Sequence, residues 1–200
     1  MPHLHIGGAE KLYVNLAIEW SKYGHSVTFL LLQKKGELLS LLPTEIKVRD
    51  LRVNKIRQSV LPIVKYLRDS QPDIVLSAMW PLTSMVFLAW MFSFKKGKLF
   101  LSEHVILSES IKRELKVSLY LAQALLRLTY SFSSGVIVVS KAVKKDLCLI
   151  GSLSPNRVKI IYNPAAIGID PTRESQDVQK KIWGKCDYHI ISVGRLKFEK

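Results

Sequence analysis

"GVIVVSKAVKKDL", residues 135 to 147, decides the fold class. Val136 to Val139 form an unbroken apolar, β-branched run, the signature of a strand covered on both faces; a strand with one wet face would alternate. From Lys141 to about 149 the pattern changes to helical spacing, with Ser140 at the junction. A fully buried strand that passes directly into a helix is the repeating unit of a parallel α/β sheet.

Working outward from this stretch, the same unit recurs. A long helix at 108–132 precedes it, then the strand "KLFLSEH" (98–104), a helix at 81–94, the strand "QPDIVLSAM" (71–79) and a helix at 56–69. Before these, "EIKVRDL" (45–51) alternates at period two and "HSVTFLLLQ" (25–33) reads as a buried strand. Residues 9–23 form a helix with Leu12, Val14, Leu16, Ala17 and Trp20 on its apolar face and Gly24 as C-cap, and "RVKIIYN" (157–163) closes the series as a strand. The expected architecture is a Rossmann-like doubly wound parallel sheet with helices on both faces.

This domain spans 1–163, and its first strand is expected to be incomplete because "MPHLHIGG" offers only a stub before the glycines. Residues 164–187 are polar, contain two prolines and read as an interdomain connection. Residues 188–200 restart with a strand, as a second α/β domain would. The expectation is a fold truncated at both ends.

Of the 200 residues 48% are apolar, enough for a sizeable core, and the formal net charge is +14, distributed in small clusters. Such a surface draws anions: phosphorylated substrates, an anionic membrane or nucleic acid. No helix-turn-helix, RNA-recognition signature or zinc finger accompanies the charge, so nucleic acid is not expected as a partner. Cys148 and Cys186 stand in unrelated contexts without metal-ligand spacing, which argues against a disulfide framework or a zinc site and for a reducing, cytoplasmic setting. The most apolar stretch, 79–94, is interrupted by Pro81, Thr83 and Ser84 and is too short for a spanning helix. It reads as a buried helix, with a membrane-surface element as the other reading.

Several residues could carry chemistry. Gly7 and Gly8 stand where a helix begins, and there bare backbone lets the first free amides approach an anion; an ordinary turn has the same composition. Arg195 and Lys200 follow a predicted strand and suit a diphosphate or plain solvent. His104 ends a predicted buried strand, the edge at which open α/β sheets bind ligands, and equally suits a satisfied structural histidine. Ser140 has an N-cap reading and Asn163, before Pro164, a turn reading. Hydrolytic triads, HExxH, P-loop lysines and the GxGxxG fingerprint are absent.

The ordered set "GGAEKLYVNLA…GHSVTFL", "PDIVLS", "SEH", "GVIVVSKAVKKDL", "RVKIIYNP" and "ISVGRLKFEK" resembles the amino-terminal domain of family 4 glycosyltransferases, which have the GT-B fold, together with the first strand of their second domain. The resemblance implies a retaining transferase that moves a sugar from a nucleotide-sugar donor to a glycan or lipid-linked acceptor in cell-envelope polysaccharide or glycolipid synthesis. By the same resemblance Gly7, Gly8, Arg195 and Lys200 would bind the donor phosphates, His104 would act in catalysis by orienting the donor sugar, and Ser140 and Asn163 would lie near the cleft. No cofactor and no essential metal are implied. Many relatives act at the cytoplasmic face of a membrane, so an anionic membrane surface is an expected partner, with the stretch 110–132 readable either as an interfacial helix or as an ordinary half-buried one. The family's acidic E-x7-E segment would fall past Lys200, so the 200 residues alone are expected to turn over poorly. The competing expectation is a non-catalytic acceptor- or membrane-binding subunit that relies on a separate donor-domain chain.

Overall fold

Short apolar strands alternate with helices from Gly8 to Ile160 in this computed structural model, which describes residues 1–94, 97–113 and 118–164. The order is α1 (Gly8–Lys22), β1 (Thr28–Leu31), β2 (Lys47–Asp50), α2 (Val60–Ser70), β3 (Ile74–Ala78), α3 (Leu82–Phe92), β4 (Lys98–Glu103), α4 (Leu107–Arg113), α5 (Leu119–Phe132), β5 (Gly135–Val138), α6 (Lys141–Ile150) and β6 (Val158–Ile160). Short 3-10 turns at Glu37–Leu41, Ile56–Ser59 and Pro155–Arg157 fill connections. These elements belong to a unit running from Met1 to Pro164. The connection expected over 164–187, apart from Pro164, and the second domain expected over 188–200 lie outside the described residues.

All the ladders are parallel, as the continuous apolar runs require. β3, β4, β5 and β6 pair in that order, with Ala78 opposite Ser102 and Glu103 opposite Val138, so the carboxyl ends of β3, β4 and β5 share one edge. β1 and β2 pair separately. The parallel α/β architecture is the expected one, but its hydrogen bonding is divided into two sheets. Beside β1 the first residues of the chain bond along the end of the strand and past it: the Met1 amino group donates to the Leu30 carbonyl at 3.0 Å, Leu32 and Gln33 donate to the Met1 and Pro2 carbonyls, each at 3.1 Å, and Leu4 donates to Lys35 at 2.8 Å. Burial still crosses the division, because Ala78 of β3 joins Leu4, Tyr13, Val14, Phe29 and Leu31 in one apolar cluster. The larger cluster lies on β4 to β6, where Leu99, Leu101, Val138 and Val158 are wholly buried under α2, α3, α5 and α6.

Three expectations need correction. The single helix over 108–132 is two helices, α4 and α5. Ser118, at φ −56° and ψ +131°, is out of the helical region, so α5 starts afresh at Leu119, while α4 is anchored at its start by the Ser108 N–H donating to Asp146 Oδ2 of α6 at 3.1 Å and by Leu107 and Ile111 entering the core. On α1 the buried residues are Tyr13, Val14 and Ala17, whereas Trp20 is 38% exposed. The helix closes at Tyr23, and Gly24 follows at φ +85°, a conformation that favours glycine. The strand read over 25–33 narrows to Thr28–Leu31.

Candidate functional site

The buried face of α1 and the carboxyl end of β4 meet at His104. Its Nε2 lies 3.0 Å from Ser102 Oγ and 3.2 Å from the Tyr13 hydroxyl, and the Tyr13 ring packs edge-on against the imidazole at 5.6 Å. The other ring nitrogen, Nδ1, is shielded from water and has no partner. A buried polar atom left without a hydrogen bond is uncommon. Burial holds His104 below the ordinary imidazole range, with the Glu10 carboxylate pulling in the opposite direction. Burial likewise pushes the Tyr13 phenol up to about 12, opposed by the Ser102 hydroxyl and reinforced by the charge of Glu103. At neutral pH the pair is therefore an uncharged imidazole held by uncharged hydroxyls, a hydrogen-bonding surface and not an ionic one.

Glu103, the residue before His104, is wholly buried, with no cation against it among the described residues. Its carboxylate accepts the Trp80 backbone N–H at 3.0 Å, the Tyr130 hydroxyl, and the Thr83 hydroxyl at 3.5 Å. Thr83 and Tyr130 are themselves 2.9 Å apart. These bonds join the end of β4 to the turn after β3, to the first turn of α3 and to α5. Desolvation lifts the Glu103 carboxyl to about 7 despite the bonds from Tyr130, Trp80 and Thr83, which favour its charged form.

Gly7 is the N-cap of α1 and Gly8 its first residue. A methyl at residue 7 would run into the Glu10 carboxylate, which folds back over the start of its own helix, whereas one at residue 8 would meet open space. The first turn of α1 thus already holds an anion, in the position that the helix dipole favours. Ser140 caps α6, its Oγ accepting the Val143 N–H at 3.2 Å, and it sits two residues past the end of β5, at the same sheet edge as His104. Asn163 is exposed three residues past β6. Arg195 and Lys200 lie outside the described residues. The structure thus brings α1, which Gly7 and Gly8 begin, to His104 through Tyr13. Sequence reading missed Tyr13, Ser102, Glu103 and Glu10 as members of the site, although "GGAE" and "SEH" contain three of them. Among the described residues no three His, Cys, Asp or Glu side chains gather in a way that could hold a metal ion.

The family model for glycosyltransferase family 4 matches residues 6–171. The solved structure of a lipopolysaccharide outer core galactosyltransferase, WaaB in its apo form, matches with a TM-score of 0.62 at 18% identity, over 86% of this chain and 48% of that one. At that identity the likeness concerns the fold, and the chain spans about half the length of that relative. No curated protein matches it.

Proposed function

The chain belongs to glycosyltransferase family 4, and we propose that it serves as the acceptor-side part of a retaining transferase that moves a hexosyl group from a nucleotide sugar to a glycan or lipid-linked acceptor of the cell envelope. The observation that supports this most is the cluster at His104, where an uncharged imidazole with one unpartnered nitrogen stands at the sheet edge used for ligands by open α/β folds. Such a group exchanges hydrogen bonds with a sugar without adding charge. The name of the matched galactosyltransferase supports the hexosyl and envelope-glycan parts of the reading.

In this reading Ser102 and Tyr13 fix the imidazole that orients the donor sugar. The amides at Gly7 and Gly8, with the dipole of α1, receive the leaving phosphate once Glu10 turns away from Gly7, since a carboxylate and a phosphate there would repel. Arg195 and Lys200 add positive charge to the same diphosphate, and its departing oxygen takes the acceptor proton on the face from which it leaves. Ser140 and Asn163 stand near the cleft without a chemical step. No essential metal enters this scheme. An anionic membrane surface on the cytoplasmic side is the proposed place of work; no helix among the described residues is long and apolar enough to cross a bilayer.

Transfer from a panel of UDP- and GDP-sugars by the complete polypeptide tests the reading. The expected result is transfer by the wild type and a loss of about 100-fold in kcat for His104→Ala. Transfer undiminished in that variant would remove His104 from the site. Absence of transfer from every donor would leave the non-catalytic subunit instead.

A further inference from the structure

Two neighbouring helices expose apolar surface with almost no charge on it. α3 carries no charged residue and α5 carries one, Arg127. α5 buries Ala122, Leu126 and Tyr130 completely, yet beside the polar strip of Gln123, Arg127 and Ser131 it also exposes an apolar one. Tyr120 (83% exposed), Leu121 (55%), Leu128 (48%) and Phe132 (61%), with Ala124 between them, follow one another at helical spacing along the outer surface. α3 packs alongside and adds Leu88, Met91 and Phe92, and between the two helices lies a groove of about 310 Å³. Contiguous exposed apolar surface of this kind marks an interaction site.

We propose that the α3–α5 face is a docking surface that lies on an anionic lipid bilayer; this rests on the membrane-facing part of the proposed function and assigns it to particular residues. Charge selects this occupant over a second copy. Each chain carries a formal net charge of +14, so two copies repel, whereas an anionic surface is attracted. The one charge on the face is a cation, and at the lower end Arg68 lies 5.0 Å over the ring of exposed Phe94. Aromatic tips beside arginines suit the headgroup layer. The 14 residues of α5 make a cylinder about 21 Å long. That is too short to cross a hydrocarbon core of about 30 Å, and it suits a helix lying along the surface.

Co-sedimentation of the chain with phosphatidylcholine vesicles, with and without phosphatidylglycerol, tests this. The wild type is expected to bind the vesicles that contain phosphatidylglycerol. The double variant Leu128→Ser, Phe132→Ser, whose circular dichroism should match the wild type because both side chains are exposed, is expected to bind about tenfold less. Tyr23→Ser, exposed at the end of α1, is expected to bind as the wild type does. If the double variant binds like the wild type, the α3–α5 assignment fails while the membrane reading stands. If the wild type binds no vesicle, both fail. If light scattering shows a dimer that the double variant abolishes, the face belongs to a second copy and the proposal is overturned.

Discussion

A carboxylate sealed from water, with no cation against it among the described residues, makes the stability of the region beneath His104 depend on pH. The Glu103 carboxyl sits at about 7 in the fold against an ordinary value of 4.5, so the folded protein holds its proton more tightly than the unfolded chain. The sign follows: its contribution is fully present below about pH 4.5 and is lost as the pH rises through 7, a change on the order of 3 kcal/mol. Glu103→Gln keeps an acceptor for the Trp80 N–H and offers an amide to the Tyr130 oxygen, so thermal unfolding of this variant should lose that slope and be the more stable protein above pH 7. An unchanged slope would show that Glu103 titrates normally. His104, held low by burial, acts in the opposite sense, stabilising at higher pH and less as the pH falls, which makes the variant's profile the clean one to read. The glycines give a second contrast. Gly7 is extended, and a methyl there meets only the movable end of Glu10, so Gly7→Ala should cost less than about 1 kcal/mol. Gly36 stands at φ +119°, and a methyl there would strike the Leu4 backbone; Gly36→Ala should cost more than about 2 kcal/mol in denaturant unfolding. None of this was legible in the sequence. The burial of Glu103 depends on Tyr130, which lies 27 positions away, and no local pattern records that distance.

At the scale of elements the reading from sequence went much further, for a physical reason. Strands covered on both faces must be continuously apolar, so "GVIVV" and "KLFLS" declare themselves, and parallel pairing follows from the helices between them. Where an element is anchored from outside its own stretch, the pattern runs out. α5 starts after Ser118 without a proline or glycine to announce it, and the bond from Ser108 to Asp146 of α6 ties down the start of α4. Nor could periodicity say which side of α5 faces inward, because it carries two apolar strips. The residue linking β5 to α6 was read well. Ser140 satisfies the Val143 N–H that α6 would otherwise leave unpaired, as its N-cap reading anticipated. Ser140→Ala should therefore lower the unfolding free energy by about 1 kcal/mol, and Ser140→Asp, which keeps the acceptor and suits the helix dipole, should restore it. A loss that aspartate does not restore would assign Ser140 a role other than the cap.

For the whole molecule, net charge and exposed apolar surface make separable contributions to association, and salt distinguishes them. A formal charge of +14 on 200 residues attracts any anionic surface, with each lysine or arginine near it worth about 1 kcal/mol. That attraction is sequence-tolerant and long-ranged at low ionic strength, but it is confined to about 8 Å at physiological salt. Contact through Leu128, Phe132 and Phe92 is short-ranged and nearly indifferent to salt, because it comes from removing apolar surface from water. Binding to phosphatidylglycerol vesicles should therefore fall with added salt to a plateau in the wild type. In Leu128→Ser, Phe132→Ser it should be about tenfold weaker already at low salt and fall, with added salt, to nothing. Arg127→Glu should weaken low-salt binding while keeping the plateau. Were the wild type also to lose all binding in salt, charge alone would hold the protein to anions, and the apolar side of α5 would have to be explained without lipid. The competing pulls also account for what composition could not settle at the outset. Charge alone fitted several anionic partners equally, and the proposal of a bilayer, which offers both an anionic surface and an apolar interior, rests on an exposed apolar helix face, with Arg127 as its one charge, beside that net charge.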